Sequence, residues 1–228
     1  MPPQEKAAAV IPLLEDRIRG VRVAAANVLI NVPSSLMNEA ELKTFERALE
    51  EYKEAQLAQS DHPEGHFNLA NMYAIRGDAG AAEKAYRTAI KQDPRFVVAY
   101  NNLAHFYYQT GRSKEAENSF REAIKQVPEE GNLYYSLALL LTEQKRQDEA
   151  LSLFDKAAEL LPQEVRVHYN HGLLLQRMKK PLQAEVSLKK AFAIAPSNKR
   201  VLRALAVLYQ QQGNLEKLKA LAQPSSKQ

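Results

Sequence analysis

The sequence predicts an all-α fold, a right-handed solenoid built from helical repeats. The first observation is a constant spacing of 34 residues within one proline series, which is Pro94, Pro128, Pro162 and Pro196. The second is that small and aromatic residues recur at the same spacing. The third is that 8 glycines and 11 prolines are few for a 228-residue chain with many tight turns, which disfavours an all-β fold. One unit of this length cannot bury its own apolar face, so neighbouring units are expected to stack.

Each unit holds two stretches of helical length, separated by a turn such as Arg76-Gly77-Asp78. Small residues let helices approach closely, and they form three columns: Ala70, Ala104, Ala138, Gly172 and Ala206; Ala82, Ala116, Ala150 and Ala184; Ala89, Ala123, Ala157 and Ala191. A column of larger residues fills the space between helices, and it consists of Tyr86, Phe120, Phe154 and Leu188. The periodic prolines are expected to end each second helix, because proline lacks an N–H group and clashes with the preceding turn.

These columns resemble the tetratricopeptide repeat (TPR) family, whose unit is a helix–turn–helix of 34 residues. The resemblance covers 63–198 as four repeats, at 63–96, 97–130, 131–164 and 165–198. It implies a superhelix with a groove on its concave side. Residues 199–222 are interpreted as C-terminal capping helices, because Leu218 stands where a small residue is expected, and 223–228 as a tail.

The first 33 residues resemble a HEAT-type helical pair. In that resemblance Asp16 caps the turn between the helices and Arg22 lies near it, while the core positions are Leu13, Leu14, Ala25 and Leu29. The segment 34–62 connects this pair to the repeats, and one long helix is expected over Asn38–Gln59.

A HEAT-like unit that runs into TPRs is similar to the C-terminal part of some bacterial multihaem c-type cytochromes. A lone HEAT-like unit would leave an uncovered apolar face at the start of the chain, from which we infer that residue 1 is not the natural start. The cytochrome resemblance implies that haem-binding motifs lie upstream. The chain would then be an accessory or docking domain of an electron-transfer protein, and its compartment would be the periplasm. Without that resemblance the expected compartment is the cytoplasm.

Composition and motifs argue against an enzyme or a cofactor site. The chain has no cysteine, which excludes disulfides, zinc–thiolate sites, iron–sulfur clusters and a thiol nucleophile. The sequence contains no phosphate-binding loop, dinucleotide fingerprint or nucleophile elbow. The histidine pairs His62/His66 and His168/His171 have spacings that suit a shared metal, but packing roles are favoured. In particular, His171 replaces a repeated leucine and is expected to be a hydrogen-bonded, partly buried side chain.

The concave groove is the predicted binding site, since the first helix of each unit would line it. Asparagine amides that recur one repeat apart can pair with a peptide backbone, and aromatic side chains can form pockets for its side chains. The candidate groove residues are Phe67, Asn68, Asn71, Asn101, Asn102, His105, Tyr108, Tyr135, Tyr169, Asn170, Arg166, Arg200 and Arg203. No catalytic residue, metal or cofactor is predicted. The alternative is a scaffold whose asparagines bond only to neighbouring helices.

The charge distribution indicates what partner this groove suits. Residues 1–164 carry 19 basic and 25 acidic side chains, whereas 165–228 carry 12 basic and 2 acidic ones. A basic end steers acidic partners, so the expected partner is a protein or peptide with acidic character. Nucleic acid is disfavoured, because the aromatic candidates lie mostly away from the cations. No apolar run is long enough to span a membrane.

Overall fold

The computed structural model describes residues 1–58 and 61–222, and it confirms the all-α helical-repeat solenoid class. These residues form 13 α-helices and two short 3-10 segments, with no strand among them. They group into two compact units, Met1–Arg112 and the described part of Ser113–Gln228. The predicted tail lies outside the described residues.

Unit one contains the N-terminal helices and the first repeats. Its α-helices are α1 (Pro3–Val10), α2 (Arg19–Leu29), α3 (Glu39–Leu57), α4 (Pro63–Ile75), α5 (Ala79–Gln92) and α6 (Val97–Gln109), with 3-10 segments at Ile11–Glu15 and Ser34–Leu36. The start of α3 is fixed by a capping box, in which the Asn38 side chain accepts from the Glu41 N–H and the Glu41 carboxylate accepts from the Asn38 N–H. The predicted long helix is therefore present, although Gln59 lies outside the described residues.

The N-terminal pair departs from its predicted core at one position. Leu14, Ala25 and Leu29 are buried as expected, but Leu13 is 42% exposed, so its placement in the core was wrong. The reason is local, since Ile11–Glu15 is a 3-10 segment that turns successive side chains to different sides. The HEAT-like interpretation of 1–33 and the domain bounds stay predictions.

The turn that follows this segment is held by side-chain hydrogen bonds. The Asp16 carboxylate accepts from the Ile18 N–H at 2.7 Å, and the Arg22 guanidinium donates to the Asp16 carbonyl at 2.8 Å. Arg22 also pairs with Glu51 of α3 at 2.9 Å. These contacts agree with the turn roles predicted for Asp16 and Arg22.

Unit two contains seven described helices. They are α7 (Ser113–Gln126), α8 (Gly131–Glu143), α9 (Gln147–Leu160), α10 (Val165–Arg177), α11 (Pro181–Ile194), α12 (Lys199–Gln211) and α13 (Leu215–Ala222). In this unit α8, α10 and α12 are first helices of a pair, and α9, α11 and α13 are second helices. Second helices α5, α7, α9 and α11 each end two residues before a periodic proline, as predicted.

The small-residue columns lie at the closest approaches of the helices. All eight alanines in the two second-helix columns are 0% exposed, and so are Ala70, Ala104 and Ala138. Gly172 is buried in the same column, and a Cβ atom there would lie 2.6 Å from Cγ of Leu188. Ala206 is only half-buried, because α13 has 8 residues where the other second helices have 14 and covers less of α12.

Candidate functional site

The first helix α6 of unit one presents a stripe in which Asn101 is half-buried and His105 and Tyr108 are exposed. Asn101, His105 and Tyr108 follow one another at helical spacing, so they share one face. Val98 at the start of this stripe is 50% exposed and Tyr108 is 45% exposed. On the opposite side of the same helix Tyr107 is 1% exposed. The helix is therefore anchored by its buried side and leaves polar and apolar groups on the other.

The recurring asparagines of unit one hydrogen-bond to neighbouring helices. Asn102 donates from Nδ2 to Oδ1 of Asn71 at 2.8 Å, and the Tyr86 hydroxyl donates to the same oxygen at 2.6 Å. Asn68 donates to Oε1 of Gln56 at 2.9 Å. Burial raises the pKa of Tyr86 to about 12, so this hydroxyl stays a donor at neutral pH. The fold thus uses one N–H of Asn68 and one of Asn102, and Asn102 also contacts the Tyr86 hydroxyl. Both asparagine side chains are half-buried.

Unit two repeats this arrangement with a different acceptor. Asn170 donates from Nδ2 to the Tyr135 hydroxyl at 2.8 Å. The guanidinium of Arg166 lies over the Tyr135 ring, 5.8 Å from its centre, and pairs with Glu164 at 3.1 Å. Burial raises the pKa of Tyr135. Ser136 occupies the asparagine position in this repeat, so the asparagine series is interrupted there.

The aromatic candidates divide into packing and exposed groups. Phe67 packs edge-on against Phe96 at 5.3 Å between ring centres and lies 6.2 Å from Tyr86. Tyr169 packs against the C-terminal core cluster, which includes Leu175 and Leu188. These two rings are half-buried, so much of their area already serves the fold. Tyr108 keeps the larger exposed area.

The cations of unit two lie on exposed positions of its first helices. Arg200 and Arg203 are exposed on α12, and neither has an ion-pair partner within 1–58 and 61–222. Ala204, which lies beside them on α12, is 7% exposed. It faces the packed side of α12 because it is three residues after the buried Val201.

The two buried histidines of unit two pack in its core, and among the described residues one ring nitrogen of His171 lacks a hydrogen bond. His168 is 3% exposed and its Nε2 lies 2.9 Å from the Pro162 carbonyl oxygen. His171 is 8% exposed, its Nδ1 lies 3.4 Å from the Ser187 hydroxyl, and its Nε2 lies 3.3 Å from a carboxylate oxygen of Asp155 but has no hydrogen bond in the described structure. Burial lowers the pKa of His171.

This serine–histidine–aspartate contact does not form a hydrolytic site. Ser187 lies in the middle of α11, where backbone N–H groups bond to the helix itself and none is free to stabilise an oxyanion. The described residues contain no group of three histidine or acidic side chains that could hold a metal ion. Within the same residues, no helix is both long and apolar enough to cross a bilayer.

Together these features define a helical-repeat module for protein–protein interaction. Tetratricopeptide repeat profiles match residues 70–111, 101–165 and 165–198. The chain belongs to the tetratricopeptide repeat family. No curated protein sequence matches the chain. None of these findings tests the HEAT-like or cytochrome resemblances, which stay predictions.

Solved structures of TPR proteins share the fold at low sequence identity. MamA superposes with a TM-score of 0.60 and 19% identity, over 70% of this chain and 87% of MamA. Yeast Tom70 superposes with a TM-score of 0.61 and 21% identity, over 89% of this chain and 42% of Tom70. YrrB, described as a TPR protein with an unusual peptide-binding site, superposes with a TM-score of 0.55 and 21% identity. The match covers 87% of this chain and 96% of YrrB. These similarities concern the fold alone.

The structure also shows what the sequence analysis missed. Gln56 and Tyr86 complete the asparagine hydrogen bonds; the repeat pattern gave Tyr86 a packing role only and did not single out Gln56. Val98 stands at a groove position of the repeat, and its exposed side chain adds apolar area to the α6 stripe, as that position predicts.

Proposed function

We propose that the first-helix face of this module binds an extended peptide or partner helix without catalysing a reaction. The observation that carries the proposal is the α6 stripe, where an amide, an imidazole and a phenol stand on one exposed helical face beside Val98. Such a mixture of polar groups and apolar area is typical of protein-binding surfaces. Because α6 is anchored by its buried side, the stripe is already ordered in the free protein, and little conformational entropy of α6 is lost on binding.

The asparagines add hydrogen-bonding groups to this face. An asparagine amide offers two N–H donors and one acceptor oxygen, and Asn102 uses one donor for Asn71. Asn102 also contacts the Tyr86 hydroxyl, which leaves its acceptor oxygen for a peptide N–H, and Asn101 offers a second amide on the same helix. The hydrogen bond to Asn71 fixes the orientation of Asn102, so the fold and the binding role are compatible.

The cations of unit two support an acidic partner. Arg200 and Arg203 stand exposed on α12, in the part of the chain where basic side chains exceed acidic ones. An acidic peptide would be attracted to this end, and the attraction would weaken as salt screens it. Replacing both arginines by alanine is expected to flatten the salt dependence of acidic-peptide binding. An unchanged salt dependence would remove these two residues from the proposal.

The binding proposal can be tested without knowing the natural partner. Random peptides displayed on phage are selected on the full chain, and a selected peptide is measured by fluorescence anisotropy. The variant His105→Ala with Tyr108→Ala is expected to weaken binding roughly 10- to 100-fold, since exposed aromatic anchors carry most interface energy. The matched control is Lys84→Ala with Lys91→Ala, which alters exposed positions on the second helix α5. The proposal fails if the α6 variant binds like the unaltered chain, or if only the α5 variant loses binding.

A further inference from the structure

The second helix α11 exposes apolar side chains next to lysines. Leu182 is 77% exposed and Val186 is 58% exposed, and Lys189 and Lys190 are exposed on the same side. These positions share one helical stripe, because they are spaced by three, four and seven residues. An exposed apolar stripe of this kind marks an interaction surface. It is distinct from the first-helix face of the proposed function.

The preceding second helix, α9, carries acidic side chains on the corresponding face. One repeat before Leu182, Val186 and Lys189 stand Asp148, Ser152 and Asp155. Asp148 is exposed, and the side chain of Asp155 is 66% exposed with only His171 close to it among the described ion pairs. Glu149 and Glu159 on the same helix are already paired, with Arg146 and Lys156 respectively. The free charges of α9 are therefore the two aspartates.

A cavity separates these two helices. It has a volume of about 470 Å³, with walls that include Leu151 and Asp155 of α9 and Val186 and Lys190 of α11, and a floor that includes His171. Leu182 lies beside this cavity on the same face, one helical turn before Val186. The surface thus combines an acidic stripe, a basic stripe, an apolar projection and a cavity.

We propose that this α9–α11 face binds the same face of a second copy of the chain around a two-fold axis. A two-fold axis that lies in the plane of the contact, parallel to the two helices and midway between them, would place α11 of each copy on α9 of the other, so that Lys189 of each copy meets Asp155 of the other. The apolar stripe around Leu182 would be covered in the same contact, next to the cavity of the other copy. A second copy is the expected partner because the face is self-complementary: it carries both the lysines and the aspartates that would pair.

An anionic membrane fits this face less well than a second copy. The lysines of α11 would be attracted to acidic lipids, but Asp148 and Asp155 on the adjacent helix would be repelled. The face is only two helices wide, and each helix is about 21 Å long. Such an area is at the small end for stable complexes, so we expect a dimer with a Kd on the order of 10 µM.

The test is sedimentation velocity of the full chain over a concentration series from about 1 to 200 µM, which brackets the expected Kd. The expected result is a shift from a species of 25.7 kDa towards twice that mass as concentration rises. Replacing the exposed Leu182 by serine is expected to abolish the shift without loss of helical content. A chain that stays monomeric over the whole range would overturn the proposal, and so would binding to phosphatidylserine vesicles by a chain that does not dimerise.

Charge exchange identifies the face. The variant Asp148→Lys with Asp155→Lys replaces the two free acidic side chains of α9 by basic ones, and the variant Lys189→Glu with Lys190→Glu replaces the two lysines of α11 by acidic side chains. Each variant alone is expected to be monomeric, because like charges would meet at both contacts. An equimolar mixture of the two is expected to dimerise again, since every contact then joins opposite charges. Dimers of either variant alone, or a mixture that stays monomeric although circular dichroism shows both variants folded, would contradict the proposed face.

Discussion

Two lysines occupy a turn position that suits glycine, and this leads to a quantitative stability prediction. The turn between the two helices of a repeat has a residue with positive φ, which is Gly77, Gly111 or Gly213 in three repeats, with φ of 80°, 77° and 66°. At the same repeat position Lys145 has φ of 63° and Lys179 has φ of 59°. The left-handed region costs a residue with a Cβ atom about 1–2 kcal/mol.

The net effect of glycine at these positions follows from two opposing contributions. Lys145→Gly and Lys179→Gly each remove the left-handed penalty, but glycine adds about 0.4–1 kcal/mol of unfolded-state entropy. The difference is a stabilisation of about 0.5–1 kcal/mol per site. Both lysine side chains are exposed, so little packing is lost. The double variant is expected to gain about 1–2 kcal/mol, because sites in different turns are nearly additive.

The assay is urea unfolding followed by circular dichroism at 222 nm. The midpoint of the double variant is expected to rise by several tenths of a molar with an unchanged m-value of about 1–3 kcal/mol/M. The matched control is Lys189→Gly, an exposed position inside α11 where φ is helical, and it is expected to lower stability by about 1 kcal/mol. The reasoning is refuted if the turn variants are destabilised like this control.

Further stability predictions concern the core of unit two. His171→Leu is expected to raise stability by about 1–3 kcal/mol at neutral pH, because it removes a buried nitrogen that lacks a hydrogen bond. Burial lowers the pKa of His171, so the unfolded chain binds more protons than the folded one and the unaltered chain should lose stability as pH falls from about 7 to 5. Urea titrations should show a smaller loss of stability in His171→Leu. An equal loss in both proteins would contradict this assignment to His171. Gly172→Ala is expected to destabilise by about 1 kcal/mol, because overpacking against Leu188 outweighs the better helix propensity. The matched change Gly20→Ala, where the new Cβ meets no atom within 4 Å, should stabilise by a similar amount; equal effects of the two glycine changes in thermal melts would contradict the packing argument.

Much of the fold could be predicted because helix packing restricts the same repeat positions in every unit. A column of alanines predicted the closest contacts, and the structure buries them completely, as at Ala82 and Ala116. The exposed Leu13 could not be predicted, because a 3-10 segment changes which side chains face the core without changing the apolar pattern.

The site was less predictable than the fold, since a repeat pattern shows which helix side a residue occupies but not what it bonds. Asn102 was expected to face a ligand, and the structure gives one of its N–H groups to Asn71. The partner of Asn170 is a tyrosine hydroxyl in the preceding repeat, which no spacing rule identifies. The α9–α11 face was also not predicted. The sequence did contain an indication of it, because Leu182 and Val186 are apolar at repeat positions where the preceding repeat has Asp148 and Ser152.

The proposal that the first helices bind the ligand is tested most directly by site-specific photo-cross-linking. A p-benzoylphenylalanine replaces His105 on the first helix α6 in one protein and Lys84 on the second helix α5 in another. Both are irradiated with the phage-selected peptide, and the products are mapped by mass spectrometry. We expect the peptide to cross-link to the α6 probe and not to the α5 probe. A cross-link formed only from α5 would show that the ligand binds elsewhere on the molecule.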